Sequence, residues 1–140
     1  MFPILDAVEK NQVNMVQLLL ELGKNPNVKN ELGLTPLHIV VQQNYTKIAR
    51  LLIQHKADLD VPDLIEQTPL HVAIMNGAYE SFKLLIEAKP NLEAQDFDGS
   101  TPLVAATFVD KVKMGKILLE QGAQIDPDLD DKWTPLFNAA

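Results

Sequence analysis

The stretch Thr68-Pro69-Leu70-His71-Val72-Ala73 decides the fold, because its opening residues return along the chain at a constant spacing. The tripeptide Thr-Pro-Leu occurs at four positions that are 33 residues apart, beginning at Thr35, Thr68, Thr101 and Thr134. Phe2-Pro3-Ile4 stands at the same phase one period earlier. A fixed period of about 20 to 50 residues is typical of stacked structural repeats. The sequence therefore predicts a repeat architecture along its whole length.

Each of these stretches predicts the start of a short helix. The threonine hydroxyl accepts a hydrogen bond from a free N–H of the first helical turn, and proline in the next position has no N–H to leave unpaired. We expect helices to begin at Pro3, Pro36, Pro69, Pro102 and Pro135. Residues that tolerate a left-handed backbone, and so predict helix ends, follow at Asn11, Asn44, Gly77 and Asp110.

A second helix and a polar turn complete each predicted unit. The second helices are expected in apolar segments at residues 13–22, 46–55, 79–88 and 112–121. Stretches rich in Asn, Asp, Gly and Pro predict hairpin fingers at residues 23–34, 56–67, 89–100 and 122–133. Gly33 and Gly99 stand where a hairpin turn needs positive φ. Glu66 and Lys132 replace glycine at that position, so their turns are expected to be distorted or to use another turn type.

The pattern of two short helices and a turn, with Thr-Pro-Leu-His at a 33-residue period, resembles the ankyrin repeat over residues 2–140. The resemblance implies an all-α repeat solenoid of ankyrin-type helix-turn-helix units with β-hairpin-like fingers. It implies one domain of about four full repeats and a partial fifth, with a capping unit at 1–34 and further units at 35–67, 68–100, 101–133 and 134–140. Because the last unit lacks a second helix, we expect a fragment of a longer chain or an open end covered by another copy.

The charge balance excludes several classes of partner. The chain has 19 acidic and 12 basic residues, a net charge of −7, and a field of this sign repels nucleic acid. No basic run suits a membrane surface, and no apolar run is long enough to cross one. The absence of cysteine and of a recognisable N-terminal secretory signal leads us to expect a cytoplasmic location, with the nucleus left open. The acidic excess fits either solubility or a partner with basic flanks.

No catalytic or metal-binding constellation stands out, so we expect neither enzymatic activity nor a cofactor. His38 and His71 occupy the Thr-Pro-Leu-His phase, where the ankyrin family uses histidine to hydrogen-bond neighbouring turns. Residues 126–131 resemble the opening of a calcium-binding loop, but Asp131 replaces the glycine of that loop and Phe137 replaces its final glutamate. We therefore interpret this segment as part of a finger.

Apolar side chains at positions that an ankyrin scaffold leaves free suggest a binding site. The resemblance implies that the fingertips and first helices line a concave surface, where other proteins bind. The expected partner-binding residues are the apolar Leu32, Leu34, Leu64, Ile65, Met75, Phe97, Phe108, Val109 and Trp133, with a rim of the acidic Asp98, Asp130 and Asp131. Exposed apolar patches mark interaction sites, and aromatic side chains anchor them. The alternative is that some of these residues, Leu34 and Ile65 first, pack between adjacent fingers.

Three functions fit this description. The first is a non-catalytic protein–protein interaction module that acts as an adaptor or scaffold. The alternative is the target-recognition region of a larger enzyme or ligase complex, whose catalytic part lies outside this chain. Self-association through the open C-terminal end is a third, purely structural role. The scaffold does not identify the partner, since one fold serves many functions.

Overall fold

The computed structural model describes residues 2–109 and 111–125, and these ranges contain eight helices and no β-strand. The helices are α1 (Pro3–Glu9), α2 (Val13–Glu21), α3 (Pro36–Gln43), α4 (Thr46–Gln54), α5 (Pro69–Met75), α6 (Tyr79–Glu87), α7 (Pro102–Phe108) and α8 (Val112–Glu120). No helix in the described ranges has both the length and the apolar character needed to cross a membrane.

The helices stack in two rows. Each odd-numbered helix packs against the even-numbered helix that follows it. Along the stack α1, α3, α5 and α7 contact one another in order, and so do α2, α4 and α6. The core lies between the rows, where Leu37, Ile48, Leu70, Phe82 and Leu118 are almost completely buried. This is the helical arrangement that the 33-residue period predicts.

The predicted helix starts are confirmed at Pro3, Pro36, Pro69 and Pro102, whereas Pro135 lies outside the described residues. The hydroxyl oxygens of Thr35, Thr68 and Thr101 each accept a hydrogen bond from the backbone N–H three residues later. Phe2 precedes α1 and gives no such side-chain bond. Each threonine thus satisfies one of the N–H groups that a helix start leaves without a partner.

The left-handed residues predicted after the first helices are also confirmed. Asn11, Asn44 and Gly77 have φ values of +55°, +57° and +64°. Asp110, the fourth residue of this series, lies outside the described ranges. The second helices begin at the predicted residues and end one residue early, at Glu21, Gln54, Glu87 and Glu120.

The fingers in the described residues are tight turns, and the expected β-hairpins are not confirmed. Two backbone hydrogen bonds close each of these fingers, and the wider one in the first finger runs from the N–H of Asn30 to the carbonyl of Leu34 at 3.0 Å. The distortion predicted at Glu66 is wrong, because Glu66 adopts φ of +61°. Its N–H donates to Asp63 at 3.0 Å, as that of Gly33 does to Asn30. The turn expected at Lys132 is not among the described residues.

Candidate protein-binding surface

An Asn or Asp side chain fixes each finger from inside the turn. The Oδ1 atom of Asp63 accepts hydrogen bonds from the N–H groups of Ile65 and Gln67, both at 2.9 Å. Asn30 and Asp96 make the same pair of bonds at 2.9–3.0 Å in their own fingers. These three residues were not predicted from the sequence, although their 33-residue spacing and turn-forming side chains were a usable signal.

Backbone hydrogen bonds join neighbouring fingers into a row. The N–H of Leu64 donates to the carbonyl of Leu32 at 3.2 Å, and the N–H of Phe97 donates to the carbonyl of Ile65 at 3.0 Å. Since Leu64 and Ile65 are adjacent in the chain, these two bonds connect four predicted binding residues in one continuous series. The fingertip row, as we name Leu32, Leu64, Ile65 and Phe97, therefore spans three fingers.

All four side chains of the fingertip row face solvent. Leu32 is 62% exposed, Leu64 69%, Ile65 55% and Phe97 77%. The suggestion that Ile65 packs between fingers is thus not supported, because more than half of its surface is free. Leu34, by contrast, is partly buried and packs against the core.

The first helices place further predicted residues near their C-terminal ends. Met75 ends α5 and is 46% exposed, and Phe108 occupies the same phase at the end of α7 with 76% exposed. Because α5 and α7 pack side by side, the two side chains stand on neighbouring elements. Val109 is partly buried against the core. Asp98 is exposed, whereas Asp130, Asp131 and Trp133 lie outside the described residues.

An open cleft of about 670 Å³ lies between α1 and the first finger. Apolar and charged side chains share its lining, which consists of Phe2, Leu5, Asp6, Glu9, Lys29, Asn30, Glu31 and Leu32. Leu32 connects this cleft with the fingertip row. Asp6 is paired with Lys10 at 3.2 Å, and such an exposed pair contributes little to stability. Acidic groups outnumber the one lysine of the lining, so the cleft favours cationic groups.

The two motif histidines connect the helix starts to the fingers. His38 Nδ1 accepts from the N–H of Thr35 at 3.1 Å, so Nε2 carries the proton and donates to the carbonyl of Gln67 at 2.9 Å. His71 repeats this arrangement with Thr68 at 3.2 Å and with the carbonyl of Ser100 at 2.8 Å. This is the structural role that the resemblance implies for the two residues.

Burial is the main reason why the pKa values of His38 and His71 lie below the ordinary histidine value. The carbonyls of Gln67 and Ser100 oppose this effect only in part. Both imidazoles are therefore neutral at pH 7, and both nitrogens of each ring are already engaged. In the described part of the chain, no three His, Asp or Glu side chains converge as metal ligands.

The helix pairs, capped by Thr-Pro starts and joined by ordered turns, define a helical repeat protein with an exposed row of turns. A family model described as ankyrin repeats (3 copies) matches residues 4–96 and 76–140. The chain belongs to the ankyrin repeat family. Ankyrin repeats are general protein–protein interaction modules and are typically non-catalytic.

Proposed function

We propose that the chain is a non-catalytic module that binds a partner protein through the fingertip row and the exposed ends of α5 and α7. Met75 and Phe108 supply the helix side of this surface, and the fingertip row supplies the other side. Trp133, Asp130 and Asp131 belong to the proposed surface by their repeat phase. Recognition for an enzyme whose catalytic part lies elsewhere would use the same surface.

The observation that carries the proposal is that the turns do not require apolar tips. Glu31, Leu64 and Phe97 occupy one phase of three successive fingers, and Leu32, Ile65 and Asp98 occupy the next phase. The turn hydrogen bonds are the same in all three fingers, so a charged side chain fits either phase. Apolar side chains at these tips leave a hydrophobic surface in water with no benefit to the turn. Surfaces of this kind commonly mark protein interaction sites.

The proposed partner carries an apolar segment with basic residues beside it. The fingertip row and Phe108 offer apolar and aromatic contacts, which dominate the energy of protein interfaces. Asp98 stands beside Phe97, and the cleft next to Leu32 is lined by Glu9 and Glu31. Together with the net charge of −7, these carboxylates favour the approach of a basic partner. Association is then expected to slow as salt is added.

The test is a comparison of two variants with a partner captured by the wild-type chain and then purified. Phe97→Asp combined with Phe108→Asp places charges on two side chains that are more than three-quarters exposed, so the fold is expected to persist. The matched control is Leu22→Asp, because Leu22 is 66% exposed at the end of α2. Binding is measured in solution by calorimetry, and helix content by circular dichroism.

We expect the double variant to lose at least about 30-fold in affinity, which corresponds to one aromatic hot spot, and the control to bind like the wild type. Equal binding by the folded double variant would show that the partner uses another surface. Loss of binding in the Leu22→Asp control alone would indicate that the partner binds on the α2 side of the molecule. The proposed location of this binding is the cytoplasm.

A further inference from the structure

Half of the basic residues of this acidic chain lie on one row of helices. Helices α4, α6 and α8, together with the lysine directly before α8, contain six of the 12 lysines and arginines but three of the 19 acidic residues. We name these six cations the basic face: Lys47, Arg50, Lys83, Lys111, Lys113 and Lys116. Lys116 is half-buried and the others are exposed. The fingertip row is built from turns, so the two surfaces are separate.

The exposure of the basic face does not depend on where the helix stack begins or ends. Helix α4 packs against α2 on one side and against α6 on the other, and its Lys47 and Arg50 are exposed nonetheless. Lys83 and Lys116 follow Arg50 at intervals of 33 residues, so one phase of three successive helices carries a cation. Arg50 and Lys83 also line one cavity of about 240 Å³ between α4 and α6. The repeat itself therefore directs these cations away from the core.

Three lysines of the basic face converge around Tyr79 at the start of α6. The ammonium groups of Lys83 and Lys113 lie 5.4 and 4.3 Å from the centre of the Tyr79 ring, within the range of a cation–π contact. Lys111 extends over Gly77, because its Nζ atom lies 3.2 Å from the position that a Cβ atom would take there. Since Lys83 and Lys113 share one ring, their charges are at most about 10 Å apart, a distance at which salt screens repulsion incompletely.

The cations of the basic face contribute little to the stability of their helices. Within the part of the chain that the structure describes, no carboxylate lies within 4.0 Å of any of them. Lys111 and Lys113 stand at the start of α8, where the helix dipole disfavours a positive charge, and Glu120 ends the same helix, where a negative charge is disfavoured. Residues that break such a local rule without a gain in stability are typical of functional sites.

We propose that the basic face binds an extended acidic segment of a second partner protein, with a carboxylate on about every third residue. Helices packed side by side lie about 8–10 Å apart, so Arg50, Lys83 and Lys116 present a cation at about that interval. Three residues of an extended chain of the polyproline II type span about 9 Å and return to the same side. Each cation of this series then meets one carboxylate of the segment.

This site is independent of the proposed function, because it uses none of the residues of the fingertip row. The two surfaces select opposite charges, since the fingertip row lies beside carboxylates and the basic face consists of lysines and an arginine. Electrostatic complementarity of this kind determines which partner binds at which surface. A chain with both sites holds a basic and an acidic partner at the same time.

The acidic residues beside the basic face favour a protein segment over a uniform polyanion. Glu80 and Glu87 line the same cavity as Arg50 and Lys83. A nucleic acid or an anionic membrane would bring negative charge against these carboxylates as well, whereas a peptide can place neutral or basic residues there. The net charge of −7 also repels a large polyanion at longer range.

The test measures binding of a fluorescein-labelled peptide of Glu-Pro-Ser repeats, about twelve residues long, to the 140-residue chain by fluorescence anisotropy. At about 20 mM salt the expected dissociation constant is about 100 µM or lower, and at about 150 mM salt binding should be at least about tenfold weaker. A peptide of Gln-Pro-Ser repeats has the same length and shape without the charge, and it should not bind.

Charge reversal locates the site. Lys83→Glu combined with Lys113→Glu should weaken binding of the Glu-Pro-Ser peptide at least about tenfold, because both changes reverse the charge beside Tyr79. The matched control is Lys24→Glu combined with Lys56→Glu, which changes the net charge equally at two exposed lysines outside the basic face. The control should weaken binding by less than about threefold. Circular dichroism checks that both variants are folded.

A second variant and two further probes complete the experiment. Lys83→Gln combined with Lys113→Gln removes the two charges without adding new ones, and it replaces the reversed variant if that variant unfolds. Vesicles that contain phosphatidylserine and a short DNA duplex serve as uniform polyanions, and the proposal expects both to bind more weakly than the peptide.

Four results would overturn the proposal. A wild-type chain that does not bind the Glu-Pro-Ser peptide at low salt has no such site. Equal binding of the Gln-Pro-Ser peptide would show that carboxylates are not recognised. Equal losses in the folded lysine variants and in the control would assign the effect to net charge. Vesicles or DNA that bind as tightly as the peptide would make the partner a general polyanion.

Discussion

Replacing Gly33 by alanine will measure how much the contact between neighbouring fingers contributes to stability. Gly33 has φ of +74°, and a Cβ atom added there would lie 3.0 Å from the backbone N of Leu64 and 3.3 Å from the carbonyl carbon of Asp63. Gly23 is the matched control, because its φ is +83° and no described atom lies within 4 Å of an added Cβ. Both alanines are strained by the positive φ, but only the alanine at position 33 contacts the next finger.

The two changes therefore differ in magnitude. A left-handed alanine costs about 1–2 kcal/mol, and the less flexible unfolded chain returns about 0.5–1 kcal/mol, so Gly23→Ala should lower the free energy of unfolding by about 1 kcal/mol. In Gly33→Ala the finger of Leu64 must also move away from Leu32, which weakens their 3.2 Å hydrogen bond. That bond is worth about 0.5–1.5 kcal/mol, so the total for Gly33→Ala is about 2 kcal/mol.

Urea unfolding followed by circular dichroism distinguishes the two variants. With a slope of about 2 kcal/mol per molar urea, the midpoint should fall by about 1 M for Gly33→Ala and by about 0.5 M for Gly23→Ala. If the two midpoints fall equally, the close approach of the fingers carries no stability, and the reasoning from the fingertip row is wrong.

Two further predictions concern the residues with positive φ and the buried histidines. Glu66 and Lys89 both adopt φ of +61°, so Glu66→Gly and Lys89→Gly should each raise the free energy of unfolding by about 0.5–1 kcal/mol, whereas Glu66→Ala, which keeps the strain, should not. Urea midpoints of the three variants check this, and a lower midpoint for either glycine would contradict it. Stability should also fall as the pH decreases below about 6.5, because the unfolded chain then binds protons that the buried His38 and His71 do not. The free energy of unfolding changes with pH by at most about 1.4 kcal/mol per pH unit for each histidine. His71→Gln should make this pH dependence less steep. Equal pH dependence in the variant and the wild type between about pH 7 and about pH 5.5 would exclude the His71 imidazole as a cause.

The helix starts could be predicted because their causes lie within four residues. The bonds of Thr35 and Thr68 to their helices involve only the motif itself, so the motif contains all the information needed. The turn at Glu66 was mispredicted because residue type was considered alone. There Asp63 binds two N–H groups and the neighbouring finger binds Ile65, and together these bonds hold Glu66 in a conformation that its side chain disfavours.

The exposure of the candidate site could be predicted only in part. Leu34 and Leu64 are both leucines in fingers, but Leu34 directly precedes the helix cap and packs inward while Leu64 forms a tip. The position within the repeat distinguishes the inward-facing leucine from the exposed one, whereas the hydropathy of the residue type does not. The exposure of Met15 and Leu18 was missed, because the sequence marks them as apolar helix residues like their buried or partly buried counterparts Ile48 and Leu51. Only the position of α2 at the beginning of the stack distinguishes them.

The carbonyl of Gln67 links the two parts of the proposed binding surface. It accepts one hydrogen bond from Asp63 within the finger at 3.0 Å and another from His38 at the start of α3 at 2.9 Å. Ser100 receives the equivalent pair from Asp96 and His71. Helices and fingertips are thus held in one hydrogen-bonded frame before any partner arrives. Because a preorganised surface loses little conformational freedom on binding, more of the contact energy of the exposed apolar tips remains available as affinity.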